Sequence, residues 1–157
     1  MRRISMVVMG LALAAGVQAA EIGGVKLDDK VSVGGQELVL NGAGIRTRVV
    51  FKVYVGSLYL PAKATTPAAA LDKGPRRIQL NLLRDVGSDE FVGALVDGMK
   101  DNNAAAEMAA VKPQVDQLVA IGKALGQVKE KDVVALDFVD GGTKMAVKGA
   151  VKGTLGG

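Results

Sequence analysis

Alternating apolar and polar residues predict β-strands in two groups, one on each side of a helical region. In the first group the runs Lys30–Val33 and Gln36–Leu40 flank Gly34-Gly35. Two adjacent glycines can both adopt positive φ, so this pattern predicts a two-residue hairpin loop. Similar turn signals at 140–142 and 148–149 separate the runs of the second group: Val133–Val139, Thr143–Val147 and Ala150–Leu155. Tight turns between successive strands favour an antiparallel sheet.

The stretch from Asn41 to Pro61 carries the most informative pattern. Asn41-Gly42-Ala43-Gly44 interrupts the alternation and predicts a tight connection, with a phosphate-binding loop as the less specific alternative. Alternation resumes over Arg46–Leu60, which is long for one strand, so we expect a bulge or bend inside it. Arg46 and Tyr54 have the same parity and therefore share the more polar face if the strand is regular.

The next segment is predicted to be a connector followed by a strand. Thr66-Pro67 can cap and begin one short helix that reaches Leu71. Arg76–Arg84 alternates again, with apolar residues on one face, and is predicted to be a strand.

The region after this strand has the apolar spacing of helices. Ser88 is a suitable N-cap, and apolar residues at helical spacing follow it to about Asn102. A weaker, alanine-rich helix is predicted over Ala104–Val111, and a third from Pro113 to a stop at Gly126. The order of elements predicts an α+β fold in which helices cover one face of an antiparallel sheet.

The N-terminus has the features of an export signal. Arg2 and Arg3 precede the uncharged apolar run Ile4–Val17, and small residues surround a plausible cleavage site before Ala20. The run is shorter than the roughly 20 residues that span a bilayer. We therefore predict a signal peptide over residues 1–19, one domain over residues 20–157, a periplasmic or secreted location, and no integral membrane segment after cleavage.

Charge and composition narrow the chemistry. Without Arg2 and Arg3, 18 basic side chains face 16 acidic ones, a net charge of +2, so no nucleic-acid partner is expected. The chain has no His and no Cys, which excludes Ser-His-Asp and Cys-His catalysis within it. An all-carboxylate zinc site would be unusual, so we expect no metal and no cofactor. The composition identifies no protein partner.

Three segments together resemble the bacterial chalcone-isomerase-like family. They are L-N-G-A-G-I-R-T-R with F-K-V-Y-V-G-S-L-Y-L-P, then S-D-E-F-V-G-A-L-V-D-G-M-K-D-N, and D-G-G-T-K-M-A-V-K-G. The resemblance implies an open-faced β-sandwich, a large antiparallel sheet that carries a helical layer. Members of the family usually continue past a pair like Gly153-Thr154 into another helix, so part of the helical layer is expected to be missing here.

The resemblance also identifies candidate site residues. A catalytic arginine follows the G-A-G turn of the plant chalcone isomerases, and Arg46 matches it. A threonine of their catalytic network falls at Tyr54, and their tyrosine and asparagine fall at about Gly87 and Ala94. Because neither Gly87 nor Ala94 can replace a phenol or an amide, no catalytic residue is assigned.

Other members of the fold resemble fatty-acid-binding proteins, in which an arginine and a tyrosine hold a carboxylate at the mouth of an apolar cavity. Arg46 and Tyr54 match them, and a guanidinium and a phenol are suitable carboxylate ligands. We expect a non-catalytic protein that binds a small amphipathic carboxylate such as a fatty acid. Eight residues of straight strand span about 26 Å, so the pair requires a bend or hairpin between Arg46 and Tyr54.

Two alternatives remain open at this point. An envelope protein-interaction or structural domain would have a filled cavity and an Arg46 that pairs within the protein. A residual intramolecular lyase (isomerase) acting on an enone is less favoured, because it needs a second donor, for which only Tyr54 or a lysine such as Lys52 is present.

Overall fold

A computed structural model describes residues 19–72 and 74–156 of the chain. The predicted signal peptide, residues 1–19, lies outside the described residues except for its last position. The elements, in chain order, are β1 (Ala20–Ile22), β2 (Val25–Leu27), β3 (Lys30–Val33), β4 (Gln36–Arg48), β5 (Phe51–Leu60), α1 (Pro67–Ala70), β6 (Arg76–Leu82), β7 (Val86–Gly87), α2 (Ser88–Asn102), α3 (Ala105–Ala110), α4 (Lys112–Lys123), β8 (Gln127–Val128), β9 (Val133–Val139), β10 (Gly142–Val147) and β11 (Ala150–Gly156).

A curled, antiparallel seven-stranded sheet organises the molecule. Its order is β11-β10-β9-β6-β5-β4-β3, and two small two-stranded pairs, β1-β2 and β7-β8, lie outside it. Neighbouring strands of this sheet follow one another in the chain, and the long connection between β6 and β9 contains β7, the helices α2 to α4, and β8. Arg77 and Asp137 face each other at this junction, with Nε–Oδ1 and Nη2–Oδ2 distances of 2.6 and 2.8 Å. The predicted α+β fold is confirmed.

Each face of the sheet has its own core. Helices α2 and α4 pack over the central strands, and this core includes Leu82, Phe91, Leu118, Val134 and Met145. The opposite face buries a smaller cluster, which contacts residues of the β1-β2 pair: Leu27, Val33, Leu38, Leu40, Val55 and Tyr59. None of the described helices is long and apolar enough to cross a membrane.

The tight connection predicted at Asn41-Gly42-Ala43-Gly44 is wrong. Strand β4 continues through these residues to Arg48, with a register irregularity between Leu40 and Gly42. Pairing with β5 gives the glycine-rich backbone its ladder partners, so tertiary pairing overrides the local turn preference.

The single strand predicted over Arg46–Leu60 is two strands in the structure. A two-residue loop, Val49-Val50, joins β4 to β5, and Arg48 pairs directly with Phe51 across it. Val49 has φ of 56°. β-Branched residues rarely adopt positive φ, so the sequence pattern contains no usual signal for this hairpin.

The other predicted elements are confirmed with small shifts. Thr66 Oγ1 accepts a hydrogen bond from the Ala69 N–H at 3.2 Å and caps α1 as expected. Ser88 is the first residue of α2, whereas the N-cap position belongs to Gly87 and has no side-chain hydrogen bond. The hairpin loops at Gly34-Gly35, 140–142 and 148–149 occur where the turn residues predicted them.

Candidate functional site

The β4–β5 hairpin places Arg46 directly opposite Tyr54. Residues opposite each other in antiparallel strands have Cα atoms about 4.5–5.5 Å apart, and their side chains leave the same face of the sheet. The hairpin therefore meets the geometric condition that the sequence set for this pair. Arg46 and Tyr54 are eight residues apart in the chain but are partners in the strand ladder.

A cavity of about 260 Å³ lies beside this pair, between the hairpin and α2; its lining mixes charged and apolar side chains, and we call it the polar cavity because the charged ones lie here. The hairpin contributes Arg46, Arg48, Val53 and Tyr54 to its wall. Helix α2 and the strand just before it contribute the opposite wall: Val86, Glu90, Phe91, Ala94, Leu95, Asp97, Gly98 and Asp101. Arg46 is exposed and Tyr54 is half-buried, so both can contact a molecule that enters from solvent.

Charges of both signs line the polar cavity. Arg48 Nη1 lies 3.9 Å from Glu90 Oε1, and both side chains are more than half exposed, so this ion pair is weak. Arg46 forms no hydrogen bond or ion pair with any residue that the structure describes. Its guanidinium is thus available to an external acceptor.

An apolar cavity of about 440 Å³ adjoins the polar one. Tyr54 and Leu95 line both cavities, so they form the boundary between them. The wall is mainly aliphatic and comes from the sheet and from α2 and α4: Ile78, Leu80, Met99, Val111, Val115, Leu118, Leu136, Phe138 and Leu155. Gln114 also lines it, and the Gln114 Oε1 atom is buried without a hydrogen-bond partner among residues 19–72 and 74–156.

The site thus has a polar compartment with an unpaired arginine next to an apolar compartment. A family model described as chalcone isomerase-like matches residues 19–157. The chain belongs to the chalcone-isomerase-like family. No curated protein matches the chain.

Two positions of this chalcone-isomerase-like protein depart from the plant enzymes' donors. Ala94 lines the polar cavity, and Gly87 immediately precedes α2. Neither carries a polar side chain that could orient a substrate. Of the two donors considered beside Arg46, Tyr54 lies at the cavity, whereas Lys52 pairs with Thr47 near the hairpin end, is exposed, and does not line either cavity.

Helix α2 contributes charged residues that the sequence reasoning did not include. The carboxylates Glu90, Asp97 and Asp101 line the cavity together with Ala94, and these four positions follow the i, i+4, i+7, i+11 spacing of one helix face. The same spacing that identified the apolar face of α2 could have identified these carboxylates. Its position opposite Arg46 required the sheet and helix to be packed together.

The second tyrosine is not part of the site. Tyr59 is fully buried in the core on the other face of the sheet, and its hydroxyl has no hydrogen-bond partner among the described residues. Burial raises the pKa of this phenol above its ordinary value. In the described part of the chain no cluster of three or more His, Cys, Asp or Glu side chains has a metal-binding arrangement.

Proposed function

We propose that this chalcone-isomerase-like protein binds a small amphipathic carboxylate, such as a fatty acid, without a catalytic step. The observation that carries the proposal is the direct pairing of Arg46 with Tyr54 where the polar cavity meets the apolar one. The carboxylate would bind between these two side chains, and the apolar tail would extend past Tyr54 and Leu95.

The properties of Arg46 support the position of the head group. A guanidinium donates two parallel hydrogen bonds to a carboxylate, and a phenol on the neighbouring strand can donate a third. Arg46 has no competing partner among the described residues. An envelope structural domain would instead be expected to pair this arginine internally and to fill the cavity beside it.

The apolar cavity supports the position of the tail. Its volume of about 440 Å³ falls within the roughly 300–1,000 Å³ of typical small-molecule sites. Aliphatic side chains line most of it, so burial of methylene groups there is favourable at about 0.8 kcal/mol each. The predicted export signal supports a periplasmic location for this binding.

The carboxylates on α2 set a limit on affinity. Asp97 and Asp101 line the polar cavity and form no ion pair with any described residue, whereas Glu90 faces Arg48. Like charges in one cavity oppose anion binding, and this opposition weakens with salt. The ligand is therefore expected to bind through its tail and through the Arg46 and Tyr54 contacts to its carboxylate, with modest affinity.

The proposal can be tested by titrating the purified protein with dodecanoate and with its neutral analogue dodecanol, using calorimetry below the micellar concentration. Arg46→Gln should weaken dodecanoate binding by about 10- to 100-fold, since it removes a charge-assisted hydrogen-bonded contact. Dodecanol binding should change little. Tyr54→Phe should weaken dodecanoate binding by about three- to tenfold.

Two further variants separate the contact from general electrostatics. Lys52→Gln removes the same charge from the same hairpin but from a side chain outside both cavities, so dodecanoate affinity should stay within about twofold. Asp97→Asn with Asp101→Asn should tighten dodecanoate binding and leave dodecanol unchanged. The proposal is wrong if folded wild-type protein binds neither ligand, or if Arg46→Gln and Lys52→Gln have equal effects.

A further inference from the structure

The loop of the β4–β5 hairpin presents three consecutive apolar residues to solvent. Val49, Val50 and Phe51 are 89%, 76% and 58% exposed. They form a projecting tip rather than scattered surface residues, and contiguous exposed apolar area on a folded domain usually marks an interaction site. We call these three residues the hairpin tip.

The backbone conformation of the hairpin tip does not explain why valine occupies the turn. Val49 has positive φ, and a two-residue loop with positive φ at its first position favours glycine there. Every other two-residue hairpin loop in the described sheet contains at least one glycine at positive φ, as in Gly34-Gly35. The Lys148-Gly149 loop also has a non-glycine at its first position, with φ of 51°, but lysine is not β-branched and Gly149 follows it. An exposed, strained valine conflicts with local preference, which is typical of functional positions.

Exposed cations surround the hairpin tip. Arg46, Arg48 and Lys52 flank it on the two strands, and the Arg84 guanidinium carbon lies 5.0 Å from the centre of the Phe51 ring. Residues 38–71, which include the whole hairpin beyond its base, contain no Asp or Glu. Within the described residues, Glu90 is the carboxylate that pairs with this group, at 3.9 Å from Arg48. Asp97 and Asp101 share the polar cavity with Arg46 and Arg48, but they lie on α2 and not on the hairpin. An apolar tip flanked by cations has the chemistry of a surface that binds anionic lipid.

We propose that the hairpin tip inserts into the surface of an anionic lipid bilayer, with Arg48, Lys52 and Arg84 bound to headgroup phosphates. The apolar side chains leave water for the acyl boundary, while the arginine and lysine side chains stay at headgroup level. Because Arg46 and Tyr54 lie on the same hairpin, the polar cavity would open close to the lipid surface. The docking needs no ligand in the cavity and is tested without one.

The first experiment measures co-sedimentation with vesicles of phosphatidylethanolamine and phosphatidylglycerol, and with vesicles of phosphatidylcholine alone. Protein is expressed from the full sequence, and its N-terminus after cellular processing is determined by intact mass, because a retained leader would itself bind lipid. Wild-type protein should sediment with the anionic vesicles and much less with phosphatidylcholine. Val49→Gly with Val50→Ser should weaken binding by at least about tenfold, since it removes both apolar side chains.

This double variant also relieves the positive φ of Val49, so its thermal midpoint should be equal to or above that of the wild type. Loss of binding would then not reflect unfolding. Leu71→Ser is the matched control, because Leu71 is 73% exposed but lies in the connector beyond the other end of β5. It should bind vesicles as the wild type does.

A second experiment reports on insertion directly. The chain has no tryptophan, so Phe51→Trp introduces a single tryptophan at the hairpin tip, which can be excited apart from the two tyrosines at 295 nm or longer. Its emission should shift to the blue with anionic vesicles and be quenched by lipids brominated in their acyl chains, whereas Leu71→Trp should show neither effect. Equal vesicle binding by the Val49→Gly/Val50→Ser variant, or an unshifted emission from the Phe51→Trp variant, would overturn the proposal. A blue shift that depends on protein concentration without vesicles would also overturn it and assign the hairpin tip to contact between copies.

Discussion

At the residue scale, Asp132 is a buried acid whose neighbours keep it charged. Its side chain is 9% exposed, accepts a hydrogen bond from the Lys129 N–H at 3.0 Å, and has its Oδ1 atom 2.8 Å from Lys148 Nζ. Burial alone raises the pKa of this carboxyl, but the hydrogen bonds and the charge of Lys148 outweigh it and lower the pKa below its ordinary 3.8. The charged form of Asp132 therefore stabilises the turn between β8 and β9.

Asp132→Asn should lower the free energy of unfolding at pH 7 by about 1–3 kcal/mol, since a charged acceptor is lost from a buried position. The native pKa of Asp132 is depressed, so its contribution is fully present above the unfolded pKa and disappears as the pH falls through the native pKa. Urea denaturation at pH 7 and in steps below pH 4 should show that the free energies of unfolding of the wild type and the Asp132→Asn variant converge as the pH falls. Glu130→Gln, at an exposed position of the same turn, is the control and should change stability little. If the difference in free energy of unfolding between the wild type and Asp132→Asn were the same at all pH values, the stabilising role of charged Asp132 would be contradicted.

The residues of the candidate site could be named from the sequence, but their proximity could not. Parity placed Arg46 and Tyr54 on one face, and the resemblance made them candidates for a carboxylate site. Side chains eight residues apart on a straight strand would be about 26 Å from each other. The hairpin at Val49-Val50 brings them opposite each other, and no local residue preference predicts it.

At the element scale, glycine sets the distance between α4 and its neighbours. A Cβ at Gly122 would overlap Val92 Cγ2 of α2, and a Cβ at Gly153 of β11 would overlap Ile121 of α4. The close packing of α4 against α2 and against β11 thus depends on the absence of a side chain at Gly122 and at Gly153. Helix α4 also forms part of the apolar cavity wall, so its position determines the shape of that cavity.

Gly122→Ala should lower the free energy of unfolding by about 1–3 kcal/mol through overpacking, although alanine is the better helix former. Gly93→Ala in α2 is the matched control, because a Cβ there meets no atom within 4 Å. It should raise stability by about 0.5–1 kcal/mol through helix propensity alone. Thermal and urea denaturation of both variants measure these changes. If the two substitutions changed the free energy of unfolding in the same direction, the packing argument would be contradicted.

Most elements were predictable because their signals are local. Glycine pairs marked the loops of the β3–β4 and β9–β10 hairpins, and apolar spacing marked α2 and α4. The predicted connection at Asn41–Gly44 failed because glycine is compatible with a bulged strand as well as with a turn. The choice between the two depends on whether a partner strand is present.

At the scale of the whole molecule, two cores on opposite faces of one sheet account for a stable domain without disulfides.

The predicted signal peptide would direct this domain out of the cytosol. Expression of the full sequence in a Gram-negative host should yield protein in the periplasmic fraction that begins at Ala20. Intact mass of that fraction checks both points, and Arg2→Glu with Arg3→Glu should reduce export by altering the positive region. Full-length protein confined to the cytoplasm would refute the prediction.

The sequence by itself determined most of the elements, their buried faces and the α+β class, because periodicity and turn chemistry act over a few residues. The resemblance to the family, and not periodicity, made Arg46 and Tyr54 the candidate pair. Tertiary structure decided where β4 ends and β5 begins, that Arg46 pairs with Tyr54, and that a polar cavity on α2 adjoins an apolar one. These features depend on strand register and on packing between distant segments. Ladder pairing on both sides of Val49 outweighs its local strain, and that balance exists only in the folded sheet.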